Sequence, residues 1–184
     1  MVIEQLRAAT AESHKQLEAK LFPFINSINN NHQYGRLLNA FYGYLFPVQE
    51  LIAHHIDEQV VPDMDTRRNA GLIALDLGAI GIEQEKEVAD RLPAISNHAA
   101  AMGALYVMEG STLGGKIISK TIAERLGKEE GLRFFRGYGA ETGPMWKKFT
   151  QYLEDPKNAQ QADAISEAAV ETFTLFGTWF DKKL

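Results

Sequence analysis

The sequence predicts an all-α protein folded as one domain over residues 1–184, and three observations predict it. Apolar residues recur at intervals of three and four through most of the chain, the spacing that gathers them on one face of a helix. No stretch of useful length alternates apolar and polar residues as a half-buried strand does, and no repeat or low-complexity tract is present. A chain of 184 residues is long enough for one full hydrophobic core and cramped for two. A single helical bundle is therefore expected.

In order along the chain, Leu6, Thr10, His14, Leu17 and Leu21 set the period of a first amphipathic helix from Val2 to about Leu21, closed by Pro23. Asn29, Asn30 and Asn31 form a polar loop and cap. A second helix runs from about His32 through Phe41 and Tyr44, with Pro47 expected to kink or restart it before Leu51 to Ile56. Asp65 or Thr66 can cap a shorter helix through Leu72, Leu75 and Leu77, ended by Gly78 and Gly81. A brief charged helix is expected from Glu83 to Leu92. A long helix follows from about Ala94 to Leu126, stopped by Gly127. The aromatic link from Leu132 to Gly139 should pack on the core. Trp146, Phe149 and Tyr152 mark a helix from about Thr142 to Leu153, before a turn at Asp155-Pro156. The last helix, from about Ala159 to Phe180, buries Ala169, Phe173, Phe176 and Phe180.

The long helix contains four glycines, Gly103, Gly110, Gly114 and Gly115, each of which costs about 1 kcal/mol against alanine in a helix interior. At about 3.6 residues per turn, Gly103, Gly110 and Gly114 share one face, with Gly115 beside it. Such a bare face serves either a close helix–helix contact or the approach of a flat ligand to exposed backbone. Spacing alone leaves both readings open.

Composition excludes several classes. The formal charge of −5 argues against a general nucleic-acid or anionic-membrane binder. The absence of cysteine removes disulfides, thiolate catalysis and cysteine-ligated metal centres. The early charges and the lack of a long apolar run point to a cytoplasmic protein with no membrane segment.

Five histidines are candidates for chemistry: His14, His32, His54, His55 and His98. Adjacent His54 and His55 cannot share a helix face and read as surface, His32 as a neighbour of a cap, and His98 as a polar contact. His14 stands in the apolar stripe of the first helix, where an imidazole needs a hydrogen-bond partner or a metal. From residue pattern alone a core histidine is the more common outcome. No protein-only metal cage, nucleophile elbow, P-loop or dinucleotide-binding turn is present. A cofactor that brings its own chemistry is the economical alternative.

Leu6-Arg7-Ala8-Ala9-Thr10-Ala11-Glu12-Ser13-His14 resembles the first-helix motif of heme oxygenases, and Tyr106-Val107-Met108-Glu109-Gly110-Ser111-Thr112-Leu113-Gly114-Gly115 resembles the distal helix of their bacterial, biliverdin-producing branch. Phe134-Phe135, Gly137-Tyr138-Gly139 and Met145-Trp146 with Phe149 resemble its later segments, so the likeness spans nearly the whole chain in order. It implies a heme-oxygenase-like bundle with heme between the first helix and a kinked, glycine-bearing distal helix. It implies His14 as the axial iron ligand, Gly110, Ser111 and Gly114 as the catalytic distal face, and Arg7, Tyr106, Gly115 and Lys147 as further heme contacts. Ser111 stands where better-known members carry an aspartate that holds a water. A hydroxyl can hold water but is not the same base. Near Gln151 the chain lacks an arginine that the family uses for the propionates.

The activity implied is cleavage of heme, which is both substrate and prosthetic group, to biliverdin, carbon monoxide and ferrous iron. The reaction consumes O2 and electrons from a donor such as ferredoxin or an NAD(P)H-dependent reductase, because the chain has no flavin or nicotinamide motif. The alternative is a non-catalytic heme-binding or heme-sensing protein of the same fold.

Overall fold

The computed structural model describes residues 1–184, and they form helices joined by turns and coil, with no strand. The helices are α1 (Val2–Ser27), α2 (Asn31–Ala53), α3 (Gly71–Ala79), α4 (His98–Leu126), the single turn α5 (Arg133–Arg136), α6 (Thr142–Leu153), the single turn α7 (Pro156–Ala159) and α8 (Ala162–Lys183). α8 lies between α1 and α4 and packs along both, while α2 closes the bundle against α3, α4 and α8. One core runs through the bundle, with Leu6, Ile25, Leu37, Tyr44, Ala101, Phe149, Ile165 and Phe180 almost wholly buried. No helix is long and apolar enough to cross a membrane.

α4 begins and ends close to where its caps place it. The Asn97 side chain accepts from the Ala100 amide at 3.0 Å, and Gly127 takes the left-handed conformation at φ 62° that closes the helix. The Asn30 side chain caps α2 in the same way at 2.9 Å. α1 has no local side-chain cap. Its first free amides, Val2 and Ile3, donate instead to the carboxylate of Glu154 at the end of α6, at 3.1 and 3.0 Å.

Four expectations about elements are corrected. α1 continues through Pro23 to Ser27, and α2 runs unbroken through Pro47. Each proline removes one helical hydrogen bond, but Leu21, Ile25 and Ile28 around the first, and Leu45, Val48 and Ile52 around the second, are anchored in the core. The residues near Asp65 form only the short 3-10 turn Met64–Thr66, and α3 starts later. The segment Glu83 to Leu92 is coil. Its polar backbone is claimed by α2: Asn39 bonds the Glu83 carbonyl at 3.1 Å and the Glu85 amide at 2.9 Å, and the Ala89 amide donates to the Gly43 carbonyl at 2.9 Å. Gly43 permits that approach, because a Cβ there would come within 2.9 Å of the Glu87 carbonyl oxygen. Lys182 and Lys183 of α8 hold Glu85, Glu87 and Asp90 from the other side.

Candidate active site

α1 and α4 face each other across a cavity of about 710 Å³, within the range of small-molecule sites. Its floor is aromatic, made by Phe41, Phe135, Phe173 and Phe176, and Trp146 of α6 closes one side against Tyr106. Apolar faces thus enclose a slot whose two long walls are helices.

The α1 wall carries Arg7, Thr10, His14, Lys15 and Leu17. The core reading of His14 is not what the structure shows: its side chain is 53% exposed and opens into the cavity. The ring stands edge-on to Phe173 with centroids 5.3 Å apart. Glu18 Oε1 lies 3.7 Å from Nε2, too far for a hydrogen bond. A ring set by its own helix and one aromatic neighbour leaves its nitrogens available to a ligand. The helical period that put His14 in the stripe with Leu17 and Leu21 was right; the stripe faces a cavity at that point, not packed core.

The α4 wall divides the four glycines into two kinds. A Cβ on Gly103 would collide with the Ile165 carbonyl oxygen, and one on Gly115 with the Phe135 carbonyl oxygen. Those two are packing glycines, and Gly115 does not line the cavity. A Cβ on Gly110 would meet only the Trp146 ring at an ordinary 3.7 Å, and one on Gly114 would meet nothing within 4 Å. Both line the cavity. Nothing in the folded chain needs them to be glycine.

Three cations differ from expectation. Lys147 is exposed and does not line the cavity, and its neighbour Lys148 is bound to Asp63 at 3.0 Å. Lys15, one residue past His14, does line it. Arg68, which the sequence did not single out, reaches the cavity beside Ser111 although the residue is only 7% exposed. Its guanidinium lies 4.1 Å over the Phe134 ring and donates to the Met108 carbonyl at 2.7 Å, the Phe134 carbonyl at 3.4 Å and the Ser111 hydroxyl. Ser111 in turn donates to the Met108 carbonyl at 2.7 Å. Burial pulls the Arg68 guanidinium down to about 10, against the opposing charge of Glu109, and it remains a cation at neutral pH. No local signal marks Arg68, because it follows Arg67 in a polar coil and only the fold sends the two side chains apart.

A slot with an open histidine on one helical wall, bare backbone on the other and a buried cation beside the bare wall places the chain among all-helical proteins with a cavity shaped for a flat, largely apolar ligand. The heme oxygenase family model matches residues 81–182. The heme oxygenase of Xanthomonas campestris pv. campestris (strain 8004) is 30% identical over 138 residues, covering 73% of this chain and 81% of that one. The solved heme oxygenase of Leptospira interrogans shares the fold with a TM-score of 0.77 at 20% identity, over 98% of each chain. The chain belongs to the heme oxygenase family. It is an enzyme of heme degradation, a reaction that uses O2 and a reductant.

Proposed function

We propose that heme lies in the cavity between α1 and α4, with His14 ligating its iron from one wall and Gly110, Ser111 and Gly114 facing it from the other. The products are biliverdin, carbon monoxide and ferrous iron. The observation that carries this reading is the division among the glycines. Gly110 and Gly114 each weaken the helix by about 1 kcal/mol and relieve no contact within the protein, so what needs the space they leave is a ligand.

When bound, heme supplies the redox-active iron and the ring carbon that is oxidised. The chain's residues hold and orient it. His14 offers an imidazole nitrogen, a good ligand for either oxidation state of iron. Gly110 and Gly114 would let a bound heme approach the helix backbone and would leave room beside it for O2. Arg68 and Ser111 supply the polar groups of this wall: Ser111 can hold a water, and Arg68 would hold a fixed positive charge beside it that favours negative charge on a bound oxygen. Arg7 and Lys15, exposed on α1 at the cavity, suit the two propionates, and Tyr106 packs with Trp146 as the adjoining wall. Electrons come from a separate donor such as ferredoxin or an NAD(P)H-dependent reductase.

The test is a visible spectrum of the protein with one equivalent of hemin, followed by ascorbate or a ferredoxin system in air. A histidine-type Soret band that bleaches as biliverdin absorption grows is the expected result. A Soret band that persists with both donors points to the non-catalytic heme binder, and no Soret band overturns the heme site.

A further inference from the structure

Arg67 and Arg68 are consecutive, both buried and oppositely used. Arg67 is fully matched by carboxylates: Nε and Nη2 donate to Asp63 Oδ1 and Oδ2 at 3.0 and 3.1 Å, and Nη1 donates to Glu109. Arg68 makes no hydrogen bond to a carboxylate and meets only carbonyl oxygens and the Ser111 hydroxyl. The two acidic groups at hand are spent on Arg67, so Arg68 faces the cavity with its charge uncompensated by any direct partner.

Glu109 holds this arrangement at two points. Besides the Arg67 side chain it accepts from the Tyr138 hydroxyl, at 2.9 and 3.1 Å to its two oxygens, and that hydroxyl accepts from the backbone amide of Arg68 at 2.8 Å. One carboxylate, 2% exposed, thus grips the side chain of residue 67 and, through one phenol, the backbone of residue 68. It sits in α4 immediately before Gly110 and Ser111, so the helical turn that presents bare backbone to the cavity turns Glu109 back into the protein. The other charged groups facing the cluster are Asp63 and Lys148, which are paired with each other at 3.0 Å.

We propose that Glu109 is a positioning residue for the heme reaction: through Arg67 and Tyr138 it fixes the 67–68 segment so that the Arg68 guanidinium stands beside Ser111 at the cavity wall. Glu109 touches no part of the cavity itself. The proposal rests on the heme site described above.

Positioning and plain charge make opposite predictions. Removing a negative charge near the site should by itself favour an anion at the iron and lower the pH midpoint of the ferric heme spectrum's acid-to-alkaline change. Loss of Arg68 from its place should raise it. Glu109→Gln keeps the shape and deletes the charge, so the expected result is a rise of about 0.5–1 pH unit toward the value of Arg68→Gln, with heme affinity within about twofold of the parent. In the double variant the rise caused by Glu109→Gln should disappear and leave only the small fall that loss of a negative charge gives, because there is no Arg68 left to misplace.

Tyr138→Phe removes the hydroxyl that joins Glu109 to the Arg68 amide, leaves the Glu109–Arg67 pair and every charge in place and should shift the midpoint in the same direction; it also carries the test if Glu109→Gln does not fold. A midpoint that falls in Glu109→Gln, additive effects in the double variant, or an unchanged midpoint in Tyr138→Phe each overturns the positioning role. Failure of the parent protein to form a hemin complex overturns instead the heme site on which the proposal rests.

Discussion

Gly115 of α4 lies directly against the carbonyl oxygen of Phe135, so closely that no Cβ fits, whereas Gly114 one residue earlier has open space where its Cβ would be. Adjacent glycines therefore answer different demands, and the difference is measurable. Gly115→Ala should destabilise the protein by about 1–3 kcal/mol through overpacking. Gly114→Ala should stabilise the heme-free fold by up to about 1 kcal/mol through helix propensity while impairing heme turnover. Denaturant titration of both variants without heme, beside turnover of the second, checks the pair. Equal stability changes would make the whole glycine face a packing seam.

Replacing His14 with alanine should leave the helical circular dichroism intact, since the ring is half exposed and forms no hydrogen bond to the protein. The axial-histidine Soret spectrum should be lost, and added imidazole should restore part of it. A hemin complex with an unchanged spectrum would assign the iron to another ligand.

Arg68→Gln should bind hemin with nearly the parent's affinity and turn it over about 10–100-fold more slowly, because one preorganised donor on the oxygen side is removed. Separate measurement of kcat and KM for hemin checks this. A loss confined to KM would place Arg68 among binding groups.

Asp63 gives the fold an acid limb. Burial opposes ionisation of its carboxyl, but hydrogen bonds from Lys148 and Arg67 and their charges outweigh burial and hold it below its ordinary 3.8. A carboxyl depressed on folding contributes stability that is complete above its unfolded value and is lost as pH falls through its folded value. Wild-type stability should therefore decline below pH ~4, and Asp63→Asn should be less stable at neutral pH by about 1–3 kcal/mol yet decline less in acid. Thermal unfolding of both proteins between pH ~2.5 and ~7 measures the difference.

Where local chemistry dominates, the reading from residues agrees with the structure. Gly127 ends α4 where the sequence places its stop, because a left-handed glycine acts within a few residues of itself, whereas the helix begins at His98 behind an Asn97 cap and not at about Ala94; Thr142 to Leu153 forms α6 as its aromatic spacing indicates. Ala169, Phe173, Phe176 and Phe180 bury the face of α8 that their period describes. The expected helix over Glu83 to Leu92 is coil because its partners, Asn39, Gly43, Lys182 and Lys183, lie far away in sequence.

The candidate site follows the same division. Helical period alone placed His14 with Leu17 and put Gly110 and Gly114 on a common face, because 3.6-residue periodicity is a property of the backbone. That His14 opens into a cavity, that Gly103 and Gly115 serve packing while Gly110 and Gly114 do not, and that Arg68 reaches Ser111 while Arg67 takes Asp63 and Glu109 were decided by tertiary structure. Which surfaces meet, and which carboxylate is near enough to neutralise which arginine, depends on distances between segments that no local sequence pattern carries.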